Sequence, residues 1–242
     1  MLKILSIGNS FSQDATRYLH ALAKSAGESI KTVNLYIGGC SLEQHAANIR
    51  EDKKAYSFEF NGERTGLTVS VKEALESDEW DYVTLQQQSA RARDYATYEP
   101  YLTELAAYVR DYAPHAKLLM HQTWAYEDGS ELLKNLGLEK ASDMLCGIVK
   151  SYEQAAQSIG AAGIIPCGKA MYAALSCGLA SVHRDTFHAS LGAGRFLLAL
   201  TWYGYLTGAD VAAVSFRDFD EPVSESDAAI VKKAAAQVLA EH

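Results

Sequence analysis

This sequence lacks basic clusters, long apolar runs and any close pair of cysteines. Its 22 Lys and Arg residues are outnumbered by 30 Asp and Glu residues, which gives a net charge of -8. A nucleic-acid-binding surface needs clustered positive charge, so nucleic acid is not an expected partner. No apolar run approaches the roughly 20 residues that a helix needs to cross a membrane, so a membrane is not expected either.

Secretory and metal-binding patterns are missing as well. Residues 1–3 lead directly into an apolar segment, without the cleavage pattern of a secretory leader. The four cysteines are widely spaced and include no Cys-x-x-Cys pair, so the sequence favours neither a zinc site nor a disulfide framework. They are Cys40, Cys146, Cys167 and Cys177. We therefore expect a cytoplasmic protein with reduced, mostly buried thiols, no metal and no cofactor.

Apolar strand-like segments alternate with helix-like segments along the chain. The length of 242 residues and the 48% hydrophobic content fit one domain, residues 1–242. Five strands are predicted at Leu2–Ile7, Lys31–Ile37, Tyr82–Leu85, Lys117–His121 and Ile164–Pro166. Helices are predicted at Asp14–Ala26, Ser41–Glu51, Val71–Glu76, Glu99–Tyr112, Glu139–Ile159, Gly168–Leu175, Leu191–Leu206 and Glu225–Leu239. This alternation predicts an α/β fold with three layers and a central parallel sheet.

Three segments fall outside this alternation. Asn61-Gly62 stands between alternating residues, which is a strong signal for a β-hairpin, so we expect a hairpin insertion at about residues 55–70, outside the parallel sheet. Asp128–Leu138 is predicted to be a loop. Val211–Phe216 is short and apolar, and is predicted to be either a sixth strand or a packed turn.

Polar residues follow four of the predicted strands. In an open parallel sheet, ligands bind beyond the carboxyl ends of the strands, so these clusters should share one rim. They are Ser10, Gly38-Gly39, Gln86–Ser89 and His121–Tyr126, in strand order. The sequence therefore predicts a binding site along this rim.

Ser10 lies at the turn between the first strand and its helix, where a hydroxyl has two uses. It can cap the helix, or it can be a nucleophile whose oxyanion is held by backbone N–H groups. A nucleophilic serine needs a base, and the base needs a group that orients it. Asp185 and His188 are three residues apart, so in a helical turn they would lie on the same side. The alternative is a surface Asp beside a His that is satisfied locally.

Taken together, these motifs resemble the SGNH (GDSL-type) hydrolase superfamily. They are Gly8-Asn9-Ser10-Phe11-Ser12, Gly39, the polar cluster after the third strand and Asp185-x-x-His188. The Gly-Asn-Ser-Phe motif and the Gln-rich turn are most similar to a poorly characterised branch that resembles carbohydrate O-acetylesterases. The resemblance implies a flavodoxin-like sandwich without a cofactor. It also implies Ser10 as the nucleophile, His188 as general base and then general acid, and Asp185 as the residue that orients His188.

The resemblance further implies an oxyanion hole with the backbone N–H groups of Ser10 and Gly39 as donors. The third donor in the superfamily is usually an Asn side chain after the third strand, and no Gly-x-Asn occurs there in this chain. A glutamine amide is predicted to replace it. We expect this donor to be Gln86, with Gln88 as the alternative on the same strand face. Asn9 replaces the usual Asp of the nucleophile motif, which alters the hydrogen bonding of the turn.

Four further side chains are candidates for the substrate-binding wall. They are His45, His121, Gln122 and Trp124. His45 follows Gly39 closely, but a capping or surface role suits it equally. The other three follow the fourth strand together with Tyr126, and aromatic and amide groups suit a sugar, although aromatic side chains at a sheet edge are as often part of the packing.

The leading hypothesis is therefore a metal-independent serine esterase that acts on a small-molecule or oligosaccharide ester, with an O-acetylated carbohydrate as the favoured substrate. One alternative is a carbohydrate- or ligand-binding protein on the same scaffold without turnover. Others are a lipase or thioesterase of the same superfamily, and a metal-dependent phosphoesterase built from Asp185, His188, His183 and His121. The acyl group, the alcohol and the oligomeric state stay open at this point.

Overall fold

The first strand is apolar along most of its length because it lies inside the sheet. The computed structural model describes residues 1–241, and in it Ile4, Leu5 and Ile7 are at most 1% exposed. The strands are β1 Leu2–Gly8, β2 Ile30–Tyr36, β3 Tyr56–Phe60, β4 Glu63–Val69, β5 Tyr82–Leu85, β6 Lys117–His121 and β7 Gly163–Ile165. The five predicted strands are therefore all present, with boundaries that agree to within one residue.

The strands form one seven-stranded sheet in the order β4-β3-β2-β1-β5-β6-β7. Strands β2, β1, β5, β6 and β7 are parallel, and β1 pairs Leu2 with Ile30 of β2 and Ile4 with Tyr82 of β5. This is the flavodoxin-like order, in which the connections after β1 leave toward opposite sides of the sheet. A crevice opens at such a switch point, beyond the carboxyl ends of β1 and its neighbours. The predicted α/β fold is confirmed.

The Asn61-Gly62 hairpin forms as predicted, but its predicted position outside the sheet is wrong. Strand β3 pairs antiparallel with β2, and β4 forms the outer edge. The Asn61 side chain accepts a hydrogen bond from the backbone N–H of Thr32 at 2.9 Å. Gly62 has a φ of +84°, and a Cβ there would lie 2.1 Å from the Arg17 carbonyl oxygen. The backbone groups at the free edge of β2 need partners, and the hairpin supplies them.

In residues 1–241, ten α-helices flank the sheet. They are α1 Ser10–Thr16, α2 Leu19–Ser25, α3 Leu42–Arg50, α4 Val71–Glu76, α5 Tyr101–Tyr112, α6 Glu131–Asn135, α7 Ala141–Ser158, α8 Cys167–Ser176, α9 Ala193–Thr207 and α10 Glu225–Leu239. Helices α1, α2, α8, α9 and α10 pack together in one layer, and α3, α4 and α5 pack together in another. Crossovers on opposite faces are typical of a doubly wound sheet.

Two predicted segments differ from the structure in detail, and the structure decides between the alternatives for a third. The single helix predicted over Asp14–Ala26 is two helices, and the first begins four residues earlier, at Ser10. The predicted loop Asp128–Leu138 contains α6, because Ser130 accepts a hydrogen bond from the backbone N–H of Leu133 and caps a short helix. Val211–Ala213 is a 3-10 turn, so the packed-turn alternative is correct there.

The core lies between the sheet and both helix layers. Its largest fully buried side chains include Trp124, Trp202 and Tyr152. All four cysteines are free thiols, of which Cys40 and Cys167 are buried and Cys146 is exposed. Within residues 1–241, none of the helices combines the length and the apolar character that crossing a bilayer requires.

Candidate active site

Asn9, rather than Ser10, caps the helix that follows β1. The Asn9 side chain accepts a hydrogen bond from the backbone N–H of Phe11 at 3.0 Å, and Ser12 Oγ accepts one from the backbone N–H of Asn9 at 3.1 Å. Ser10 is therefore the first residue of α1, where backbone N–H groups have no partner within the helix. The capping interpretation of Ser10 is wrong, and its hydroxyl is available for another contact.

That contact is with His188. The hydroxyl of Ser10 lies 2.9 Å from His188 Nε2, and His188 Nδ1 lies 2.7 Å from Asp185 Oδ2. Because a carboxylate only accepts, Nδ1 carries the proton, and the Nε2 lone pair accepts from Ser10. Burial opposes ionisation of Asp185, yet the hydrogen bonds from the His188 ring and backbone hold the pKa of the carboxyl below its usual value. In this geometry a base can deprotonate a serine while a carboxylate stabilises the imidazolium.

The segment from Asp185 to His188 is a loop and not the predicted helical turn. An antiparallel bridge between His183 and Ala189 closes it, and Thr186 has a φ of +73°. Asp185 Oδ1 accepts from the backbone N–H of His188 at 2.8 Å, which turns the chain back on itself. The side chains meet because of this turn, so the spacing of three residues predicted the contact for the wrong reason.

The structure holds this loop against the β6 side of the rim. Trp124 Nε1 donates to the Phe187 carbonyl at 2.7 Å, and the backbone N–H of Glu127 donates to the Thr186 carbonyl at 2.8 Å. The Trp124 ring stacks on Phe11, with ring centroids 4.0 Å apart. One consequence is that Trp124 is 0% exposed, so its predicted place on the substrate-binding wall is wrong.

A cavity of about 230 Å³ opens in front of the Ser10 hydroxyl. Its lining residues come from the rim after β1, β2 and β5 and from the Asp185–His188 loop. They are Asn9, Ser10, Phe11, Tyr36, Gly38, Gly39, Gln88, Ser89, Phe187 and His188. Gly39 is exposed with a φ of +64°, a conformation that only glycine adopts readily. Within the described chain, the backbone N–H groups of Ser10 and Gly39 have no hydrogen-bond partner.

Gln86 does not reach this cavity, which corrects the predicted oxyanion donor. Its side chain is buried, with Nε2 donating to Asn9 Oδ1 at 2.8 Å and Oε1 lying 2.9 Å from His121 Nδ1. Gln88 lines the cavity instead, and its Nε2 has no partner among residues 1–241. The alternation that would put both glutamines on one face does not apply, because β5 ends at Leu85.

The two histidines predicted to line the pocket are buried in the protein interior. His45 Nδ1 lies 2.8 Å from the Tyr56 hydroxyl, and the two rings stack. His121 is also 0% exposed and packs against Trp202. Burial lowers the pKa of both imidazoles to about 3, so both are neutral at pH 7. The substrate-binding roles predicted for His45 and His121 are therefore wrong.

Gln122 is not on the wall either. It is 2% exposed, and its Oε1 accepts a hydrogen bond from the backbone N–H of Lys169 at the start of α8. Gln122, His121 and Trp124 are buried for the same physical reason. Strand β6 lies between β5 and β7, and the chain around residues 183–189 covers the rim there, so polar side chains after β6 are used inside the protein.

The residues proposed for a phosphoesterase metal site do not converge. His121 is paired with Gln86, and His183 Nε2 lies 3.1 Å from the Ala125 carbonyl. In the part of the chain that the structure describes, no three His, Cys, Asp or Glu side chains are grouped as metal ligands would be.

Several residues near the site were not predicted from the sequence. Tyr36 and Phe187 line the cavity, and they lie at the end of the predicted second strand and inside the Asp185-x-x-His188 motif. Asp14 is different, because it is bound by Arg184, 170 residues away in the chain. No local pattern indicates such a pair.

Comparisons with known proteins agree with this fold. The model of the domain of unknown function DUF4886 matches residues 3–238. A DUF4886 family protein from Bacteroides uniformis is 34% identical, covers 99% of this chain and 95% of its own, and superposes with a TM-score of 0.92. A candidate SGNH hydrolase from Slackia heliotrinireducens is 25% identical, with coverages of 85% and 98% and a TM-score of 0.60.

A more distant neighbour shares the fold alone. A candidate GDSL-like lipase from Parabacteroides merdae is 17% identical, covers 86% of this chain and 95% of its own, and has a TM-score of 0.56. No curated protein matches the chain. The structural neighbours support the resemblance to the SGNH superfamily that the motifs indicate.

Proposed function

This chain belongs to the DUF4886 family, and we propose that it is a serine esterase in which Ser10 is the nucleophile. One observation carries the proposal, the continuous chain of hydrogen bonds from Ser10 through His188 to Asp185. Similarity to a candidate SGNH hydrolase supports an ester hydrolase more generally. Ser10, His188 and Asp185 would act as nucleophile, base and orienting carboxylate, as in other serine hydrolases. The order of the proton transfers follows from their protonation states.

In the first half-reaction, Ser10 Oγ attacks the ester carbonyl carbon while its proton passes to His188 Nε2. Asp185 stabilises the resulting imidazolium. The negative charge that develops on the carbonyl oxygen is held by the backbone N–H groups of Ser10 and Gly39 and by the Gln88 amide, all of which face the cavity without a competing acceptor. The tetrahedral intermediate then collapses, His188 returns the proton to the leaving alcohol, and an acyl-enzyme remains.

The second half-reaction repeats these steps with water. His188 Nε2 takes a proton as the water oxygen attacks the acyl carbon. The same donors hold the oxyanion, and collapse of the intermediate returns the proton to Ser10 Oγ. The carboxylic acid leaves, and the free serine and neutral imidazole are restored.

The size of the cavity supports a short acyl group such as acetyl. Its volume of about 230 Å³ is small, since drug-sized ligands occupy pockets of about 300–1,000 Å³. One side is closed by a hydrogen bond of 2.9 Å between Ser89 and the Tyr126 hydroxyl. The Phe187 ring, which lines the cavity, makes an edge-to-face contact with the Tyr126 ring, with ring centroids 5.7 Å apart.

We propose a carbohydrate as the alcohol part of the ester. Tyr36 and Phe187 offer aromatic surface at the cavity, and the Gln88 amide offers hydrogen-bonding atoms. None of the described lining residues is Lys or Arg, which suits a neutral substrate. The similarity of the motifs to carbohydrate O-acetylesterases supports the same choice.

Acetate release from an acetylated xylo-oligosaccharide tests this function, with Ser10→Ala as the matched control. We expect release by the wild type and none by the variant. Binding of the oligosaccharide without release would favour the carbohydrate-binding alternative. Faster hydrolysis of octanoyl esters than of acetyl esters would favour a lipase or thioesterase.

A further inference from the structure

Asp14 is a carboxylate with no exposure to solvent, one turn beyond Ser10 on the same helix. Two arginines from the C-terminal third of the chain bind it. Arg184 Nη1 lies 3.0 Å from each carboxylate oxygen, and Arg195 Nε lies 2.8 Å from Oδ1. A carboxylate that is buried this completely needs such partners, because desolvation penalises its charge.

Arg184 also belongs to the loop that carries the other two members of the hydrogen-bonded chain. Its backbone N–H donates to the His188 carbonyl at 3.0 Å, and its guanidinium donates to the Ala189 carbonyl. Its Nε lies 4.0 Å from Asp185 Oδ2. Arg184 therefore contacts both ends of the loop and the helix of the nucleophile at once.

The other polar contacts of this loop lie on its far side. The carbonyls of Thr186 and Phe187 are held by Glu127 and Trp124, which follow β6. On the side that faces α1, the loop is joined to the helix by the Ser10–His188 hydrogen bond, by the Phe11 ring and by the Arg184–Asp14 pair. Of these, only the Arg184–Asp14 pair is ionic. Arg184 Nη1 is shared between both oxygens of a carboxylate that is fully buried, while the arginine side chain is 27% exposed.

We propose that Arg184 is a positioning residue, which, by binding Asp14, holds Asp185 and His188 at hydrogen-bonding distance from Ser10. The inference rests on the proposed esterase function. Arg184 does not touch the cavity that would hold the substrate, so it acts through the loop. Loss of this contact lets the imidazole shift relative to the hydroxyl while the substrate-binding surface stays intact. A displacement of about 1 Å in such a site lowers the rate on the order of 100-fold.

Arg195 offers a matched control. It binds the same carboxylate but lies on α9, and its other ion pair is with Asp220, outside the loop. Arg184→Gln and Arg195→Gln each leave Asp14 with one arginine, so both should lower the melting temperature. Only Arg184→Gln should lower kcat for p-nitrophenyl acetate, on the order of 10- to 100-fold, with KM nearly unchanged. Assays are run well below the melting temperature of each variant.

A second readout does not depend on turnover. A proton between an imidazole Nδ1 and a carboxylate resonates far downfield in a proton NMR spectrum. The proton between His188 Nδ1 and Asp185 should give such a resonance. We expect Arg184→Gln to lose or broaden this resonance and Arg195→Gln to keep it. Arg184→Lys keeps the charge and one donor nitrogen on a flexible stem, so it should restore part of kcat. If Arg184→Gln does not fold, the comparison of Arg184→Lys with Arg195→Lys replaces it.

Equal kcat and equal resonances in the Arg184 and Arg195 variants would overturn the proposal. A wild type without esterase activity would instead count against the proposed function. The NMR comparison still tests the positioning role in that case, so the two failures can be told apart.

Discussion

The side chain of Asn9 donates a hydrogen bond from Nδ2 to the carbonyl oxygen of Cys40, at 3.0 Å. Through this contact, the turn that carries Ser10 is joined to the loop that carries Gly39. The side-chain Oδ1 of Asn9 meanwhile accepts from the backbone N–H of Phe11 and from the Gln86 amide. The buried Asn9 side chain thus connects the segments that follow β1, β2 and β5. This role requires both a donor and an acceptor.

Asn9→Asp should lower both activity and stability, although Asp is the usual residue of the superfamily at this position. A carboxylate cannot donate to the Cys40 carbonyl, and two buried oxygens would face each other there. A buried acceptor without its donor costs about 1–3 kcal/mol. Asn48→Asp is a suitable control, because Asn48 is a buried amide that donates to Tyr56 away from the cavity. We expect both variants to be less stable in urea, and only Asn9→Asp to lose most of its kcat. A fully active Asn9→Asp would contradict this role.

Gln86 and Gln88 should respond differently to truncation. Gln88→Ala removes a donor that faces the cavity, and loss of one oxyanion donor lowers kcat about 10²–10³-fold. Its melting temperature should stay close to that of the wild type, since Gln88 is partly exposed. Gln86→Ala removes the partner of His121 Nδ1 and one of the two donors to Asn9 Oδ1, so its main effect should be on stability, about 1–3 kcal/mol. Steady-state kinetics and urea unfolding of the two variants test the assignment, and the reverse pattern would restore Gln86 as the donor.

Tyr126 should limit the length of the acyl group. Its hydroxyl lies 2.9 Å from Ser89, which lines the catalytic cavity, and Tyr126 itself lines a second cavity of about 480 Å³. Tyr126→Ala should join the two and raise kcat/KM for p-nitrophenyl octanoate relative to the acetate. Tyr126→Phe keeps the ring and loses only the hydrogen bond to Ser89, so it should keep the preference for acetate. An unchanged preference in Tyr126→Ala would show that the acyl group lies elsewhere.

Buried histidines should make the protein less stable in acid. Burial lowers the pKa of His45 and His121 from 6.5 to about 3, so between these values the unfolded chain binds more protons than the folded chain. The free energy of unfolding is unaffected by these two groups above about pH 6.5. As the pH is lowered from there toward 3, it falls by up to about 1.4 kcal/mol per pH unit for each group.

His121→Asn tests the share of one histidine, because an Asn amide can still donate to Gln86 in place of Nδ1. The free energy of unfolding is measured by urea titration between pH 7 and pH 5. We expect a weaker pH dependence in His121→Asn than in the wild type. Identical slopes would mean that His121 is not held neutral by burial.

The sequence predicts the parallel sheet well because each strand depends on a local pattern. Ser10 and His188 are 178 residues apart, and their contact was expected from the resemblance to the superfamily. Apolar runs mark the strands, and the rule that sites lie at the carboxyl ends of strands brings Ser10 and Gly39 together. The hairpin is also a local signal, but its partner strand is not. Strand β3 joins the sheet because the edge of β2 has backbone groups that need hydrogen-bond partners, and this edge is set by the whole fold.

The errors share a physical cause, since burial is a property of the whole fold. His45, His121, Gln122 and Trp124 have the chemistry of binding residues, but each is at most 2% exposed. Strand alternation placed Gln86 and Gln88 on the same face, but the strand stops at Leu85 and only Gln88 lines the cavity. Asp14 and Arg184 are 170 residues apart in the chain. Only the packing of the loop on α1 brings them into contact.

The most direct test of the esterase mechanism is the hydrolysis of p-nitrophenyl acetate by the wild type and by Ser10→Ala, with EDTA present in both assays. We predict that the wild type is active and unaffected by EDTA, and that Ser10→Ala has lost this activity while keeping the wild-type melting temperature. Equal activity of the two proteins would contradict the assignment of Ser10 as the nucleophile.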